Sequence, residues 1–229
     1  VFASSGAGGN RTTLRVNGVP KGAQPGMVYT TQNNGYLRSI DSQGRVFEFG
    51  PDGQVTAQAI GPMDADIDGD GLLEVPYVDG NGELKIRDMQ GEVQTLVSQG
   101  ASVSPKTSAR IGVGSYRTGD PEVYFVSGNG NNRLYTADWE SGATTGAQGI
   151  YSNPSNQNKL IEAKSVAGVG DFLSDGAGGG NELVHVDSGN KLAYLNEKSS
   201  NGRNIQTAVT SQNVAGVAAT SEPGQLNSD

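Results

Sequence analysis

Four segments of the chain repeat one pattern, and internal repetition constrains a fold more tightly than any single motif. They are Met27-Val-Tyr-Thr-Thr-Gln-Asn-Asn-Gly-Tyr-Leu37, Glu74-Val-Pro-Tyr-Val-Asp-Gly-Asn-Gly-Glu-Leu84, Glu122-Val-Tyr-Phe-Val-Ser-Gly-Asn-Gly-Asn-Asn-Arg-Leu134 and Glu182-Leu-Val-His-Val-Asp-Ser-Gly-Asn-Lys-Leu192. Each is an apolar run, a turn of Asn, Gly, Asp or Ser, and a second run opening at Leu37, Leu84, Leu134 or Leu192. Asn-Gly and Gly-Asn turns between β-branched and aromatic residues signal hairpins.

Two further strands complete the unit. Asp41-Ser-Gln-Gly-Arg-Val-Phe-Glu-Phe49 matches Asp88-Met-Gln-Gly-Glu-Val-Gln-Thr-Leu96 as a third strand. An inner strand precedes the hairpin in Ala59-Ile-Gly-Pro-Met63, Arg110-Ile-Gly-Val-Gly114 and Val166-Ala-Gly-Val-Gly170. Four strands per unit at a period of roughly 50 residues predict an all-β chain of four-stranded antiparallel blades, a β-propeller. Sustained 3.6-residue apolar periodicity is missing, so helix should be minimal.

Val214-Ala-Gly-Val-Ala218 copies the inner strand with no hairpin after it, while the hairpin at Met27 has no inner strand before it. Pairing of the N- and C-terminal segments then closes a ring of four blades and protects its sheet edges. A fragment of a larger ring is the alternative. The expected organisation is an N-terminal extension over 1–26, one propeller domain over 27–219 and a tail over 220–229. The Gly/Ser-rich extension suits packing on a neighbour in an assembly. The chain opens on Val1, not Met, which implies processing or a partial sequence.

A chain of 229 residues can bury one substantial core. Its net charge of −8, with Lys and Arg scattered, argues against nucleic acid as a partner. It has no cysteine, hence no disulfide and no thiolate metal site. Asn10-Arg11-Thr12 is a glycosylation sequon. No apolar run is long enough to insert into a membrane.

Acidic residues concentrate in Asp64-Ala-Asp-Ile-Asp-Gly-Asp-Gly-Leu-Leu-Glu74. Asp66, Asp68 and Asp70 alternate, Gly71 marks a sharp turn, and Glu74 closes the loop. Hard cations such as Ca²⁺ take six to eight oxygen ligands, which such a loop supplies, and without a cation these carboxylates repel one another. An EF-hand would place its last carboxylate at position 12 and continue as a helix. Here Glu74 is the ninth residue from Asp66 and Glu74-Val-Pro-Tyr-Val-Asp79 reads as a strand.

A calcium loop running straight into a strand resembles the FG-GAP or VCBS repeat of integrin-α-type β-propellers. The resemblance implies Ca²⁺ held by Asp66, Asp68, Asp70, Glu74 and the main-chain carbonyl of Leu72, in a structural role. Asp64 is expected outside the ligand set. Other units depart from the pattern. Gly114-Ser-Tyr-Arg-Thr-Gly-Asp-Pro-Glu122 has lost the alternating acids, and Arg117 is expected to pair with Asp120 or Glu122. Gly170-Asp-Phe-Leu-Ser-Asp-Gly176 keeps Asp171 and Asp175, with Leu173 in the place of the middle ligand, and leaves a second site open.

No nucleophile elbow, phosphate loop or zinc spacing is present. The single histidine, His185, lies in a strand and is expected to pack rather than catalyse. Trp139, Tyr124, Tyr135 and Tyr151 either fill gaps between blades or form a sugar- or protein-binding patch. The polar loop Tyr151-Ser-Asn-Pro-Ser-Asn-Gln-Asn158 is the best surface candidate for a contact. The expected function is non-enzymatic: a calcium-stabilised extracellular or particle-surface protein for adhesion, receptor recognition or assembly in a filament, coat or spike. Its partner would be a protein or glycan surface, with homo-oligomeric assembly open. The alternative is a polysaccharide-acting enzyme or a lectin-like propeller.

Overall fold

The computed structural model describes residues 27–31, 34–40, 45–49, 55–116, 120–130, 132–140, 143–144, 146–151, 159–170, 172, 181–196 and 205–208. Among them there is no helix, and none therefore that is long and apolar enough to cross a membrane. The first sheet has three strands in the order β1 (Met27–Thr30), β2 (Leu37–Ile40) and β3 (Val46–Glu48). The second runs β4 (Ala57–Ile60), β5 (Glu74–Asp79), β6 (Leu84–Asp88) and β7 (Val93–Val97). In the third, β8 (Gly112–Gly114), β9 (Glu122–Val126) and β10 (Leu134–Ala137) are followed by a small hairpin. That hairpin is β11 (Trp139–Glu140) with β12 (Ala143–Thr144), and β13 (Gln148–Gly149) then completes the sheet. The fourth is β14 (Ala163–Gly170), β15 (Glu182–Asp187), β16 (Leu192–Asn196) and β17 (Ile205–Ala208). All pairings are antiparallel between neighbours in sequence, apart from the step over the small hairpin.

The repeat is therefore an all-β succession of antiparallel sheets. Leu37, Leu84, Leu134 and Leu192 each open the second hairpin strand, as their spacing predicts. The third strands β13 and β17 and the β11–β12 hairpin carry little apolar pattern, which is why the sequence does not announce them.

Burial shows how the sheets stack. Strands β5 and β9 are buried at every position, so both of their faces are covered. Val123 and Phe125 of β9 join a core with Val78, Leu84 and Ile86 of the second sheet. Tyr124 and Val126, on the opposite face by strand alternation, join Val166, Leu183 and Leu195 of the fourth. A third core brings Leu37, Phe47 and Phe49 against Val75, Tyr77 and Met89, between the first and second sheets. Each sheet thus packs face to face on the next one along the chain.

The inner strands approach closely because of the repeated glycine. A Cβ on Gly112 would lie 2.5 Å from Cγ1 of Val166, and one on Gly61 would lie 2.7 Å from Cγ of Pro76 and 3.1 Å from Cγ2 of Ile111. Any larger residue would force consecutive sheets apart. Polar fastenings repeat as well. Lys106 Nζ donates to Asn132 Oδ1 at 2.7 Å and Lys164 Nζ to Asn190 Oδ1 at 2.6 Å, and both asparagines hold left-handed backbone, with φ of 45° and 62°. Asp79, Asp88 and Asp187 end their strands by accepting amide hydrogens from the following turn. The ring closure through 214–218, the extension over 1–26 with its sequon, and the tail over 220–229 lie outside the described residues.

Candidate metal centre

The acidic loop spans the gap between β4 and β5, and both ends are pinned. Gly61 N donates to Pro76 O at 2.8 Å, and Glu74 N donates to Ala65 O at 3.1 Å in an isolated antiparallel bridge. Between those pins the chain doubles back through Gly69 and Gly71, with φ of +80° and +89°, which a side chain would strain.

This turn aims the carboxylates inward. Asp66 Oδ1 accepts the Gly69 amide at 2.8 Å and Oδ2 the Gly71 amide at 2.9 Å. Asp68 Oδ1 accepts the Asp70 amide at 3.1 Å, and Asp70 Oδ1 the Leu72 amide at 2.7 Å. Glu74 Oε2 accepts the Ile67 amide at 2.5 Å. One ligating oxygen from each of Asp66, Asp68, Asp70 and Glu74 lies within 4.8 Å of the others. Four of the five expected residues thus meet through their side chains, and Leu72 lies in the same turn through its backbone.

Burial grades across the cluster. Asp70 is exposed, Asp66 and Asp68 are half-buried, and Glu74 is 1% exposed. Glu74 Oε1 is enclosed with no hydrogen-bond partner. Burial raises the Glu74 pKa to about 8; the Ile67 amide works against this, while the charges of Asp68, Asp66 and Asp70 reinforce it. Asp68 is also raised, chiefly by burial, with the Asp70 amide opposing. Asp64 stands outside the group of four. It is half-buried, its Oδ1 has no partner, and burial raises its pKa to about 6.

The Glu74–Ile67 bond has counterparts in the units that depart from the acidic pattern. Glu182 Oε2 accepts the Phe172 amide at 2.8 Å. In the third sheet the Tyr124 hydroxyl donates to Glu122 Oε2 and accepts the Tyr116 amide at 3.2 Å, so a tyrosine relays the same connection. All three glutamates are buried. The expected Arg117 pairing lies outside the described residues, and so do Asp171 and Asp175.

Sequence spacing missed Gln94, whose Nε2 donates to Asp68 Oδ2 at 2.6 Å from β7. No local pattern links it to a loop 26 residues earlier. Of the aromatics, Tyr124 is fully buried, Tyr135 stacks on Phe125, and Tyr135 and Trp139 pack partly buried against the core between the second and third sheets. His185 is fully buried, as a packed strand residue would be. The loop over 152–158 lies outside the described residues. No family model matches the chain, and no curated protein matches it.

Proposed function

We propose that the chain is a calcium-stabilised, four-bladed β-propeller of the FG-GAP or VCBS type, an extracellular surface protein that serves adhesion, recognition or assembly. The observation that carries the reading is Glu74: a fully buried carboxylate with one oxygen unpartnered, grouped with three aspartates. Such a group is costly to bury unless a cation pairs with it. The donor set is all hard oxygen, which suits Ca²⁺ over softer metals. The four oxygens lie within 4.8 Å of one another, close enough for one ion to bridge them.

The cation's role is structural, joining the end of β4 to the start of β5. Three face-to-face interfaces between consecutive sheets support the propeller, whose ring would close through residues 214–218. Extracellular calcium, in millimolar supply, suits sites of modest affinity. Native mass spectrometry of chelator-treated protein tests the site: calcium should add one ion per chain to wild type and none to Asp68→Ala. Sedimentation and glycan-array binding, each with and without calcium, test assembly and recognition. A protein that neither self-associates nor binds a surface partner would sink the functional reading while leaving the site intact.

A further inference from the structure

We propose that Gln94 is a positioning residue of the cation site and that it couples occupancy of the loop to the outermost strand of the same sheet. This rests on the cation reading above. Strand β7 pairs with β6 and β6 with β5, so β7 has no backbone link to the β4–β5 loop. Gln94, opposite Ile86 in that register, bridges the gap with a 2.6 Å hydrogen bond from Nε2 to Asp68 Oδ2. A carboxylate only accepts, so the amide nitrogen is the atom that faces it. With Asp68 Oδ1 already held by the Asp70 amide, the second bond stops the carboxylate from rotating.

The residue type fits that task. A lysine would hold Asp68 equally well but would add a fixed positive charge beside a cation, whereas an amide orients the carboxylate without charge. Gln94 Oε1 is enclosed and has no hydrogen-bond partner, so packing and not a second polar contact fixes the rest of the amide. Partners that orient a ligand change metal affinity by about 10–100-fold when removed. Because Gln94 sits near the exposed start of β7, ordering of Asp68 by a cation should reach that strand as well.

Two full-length variants test this. Gln94→Met keeps the length and loses the donor, and Gln94→Lys keeps a donor and adds charge. Calcium affinity, read by direct titration, should fall about tenfold or more in Gln94→Met. In wild type, calcium should slow hydrogen exchange across Val93–Val97, and in Gln94→Met it should not. Gln94→Lys should melt higher than wild type in chelator and lose its response to calcium. Wild-type affinity in Gln94→Met, with calcium still protecting Val93–Val97, would overturn the inference and leave the cation site standing. If wild type itself binds no calcium, the site reading fails and takes this inference with it.

Discussion

The Glu74 carboxylate and the Ile67 amide are joined at 2.5 Å, which ties the first residue of β5 to the interior of the acidic loop. The other oxygen of that carboxylate is enclosed without a hydrogen-bond partner, and Glu74 belongs to the acidic group of four, so one side chain both closes the loop and joins the cluster.

That double duty makes its charge conditional. The Glu74 pKa is about 8 in the fold against an ordinary 4.5, so the folded chain holds this proton more tightly than the unfolded chain. The stability it contributes is fully present below pH 4.5 and is lost as pH rises through 8. Chelator-treated protein should therefore lose stability between pH 5 and 8.5, and Glu74→Gln should flatten that loss while weakening calcium binding. Calcium must displace the proton, so wild-type affinity should fall by up to about tenfold per unit as pH drops below 8. Isothermal titration at three pH values reads this directly, and a flat profile would contradict it.

In the third sheet a tyrosine takes over the connection. Tyr124→Phe removes both the donor to buried Glu122 and the acceptor of the Tyr116 amide. Losing a buried hydrogen bond to a carboxylate costs about 1.5–3 kcal/mol, or about 3–12 °C in melting temperature for a chain of this size. The loss should be the same with calcium and with chelator, since among the described residues the acids that could hold a cation group only at 66, 68, 70 and 74. A calcium-dependent loss would place Tyr124 in the metal's network instead.

His185 sets an acid limit. Burial lowers its pKa to about 4 from 6.5, against the weaker influence of the Leu183 backbone and the Asp187 carboxylate. A depressed histidine pKa contributes stability that is present above pH 6.5 and is lost as pH falls through 4. Denaturant titrations should show wild type weakening across that window and His185→Leu weakening less. Parallel curves for the two proteins would count against a buried neutral imidazole.

Gly112 tests the stacking of sheets. Gly112→Ala would set a Cβ 2.5 Å from Val166, across the boundary between the third and fourth sheets. Overpacking of this kind costs about 1–3 kcal/mol. Pairing the change with Val166→Ala should recover much of the loss, and a double mutant no better than Gly112→Ala would show that the inner strands do not meet there.

Much of this was legible from residue patterns, for physical reasons. Hairpins announce themselves through local turn chemistry, so Leu37, Leu84, Leu134 and Leu192 fell where expected. The acids at 66, 68, 70 and 74 were readable because a cation loop needs them close in sequence. What escaped depends on distance in the chain or on weak pattern. Gln94 reaches Asp68 across 26 residues, and Lys106 reaches Asn132 across the same separation. The Tyr124 relay was hidden because a hydroxyl in an apolar strand gives no sign of its partner. Strands as short as β13 bury too little to show a period.

Calcium-dependent melting tests the central claim most directly. Wild type in chelator, then in calcium at about a hundredfold excess over its dissociation constant, should gain about 2.7 kcal/mol, or about 5–10 °C. Asp68→Ala should melt at one temperature in both conditions. Equal melting of the wild type with and without calcium would contradict the account.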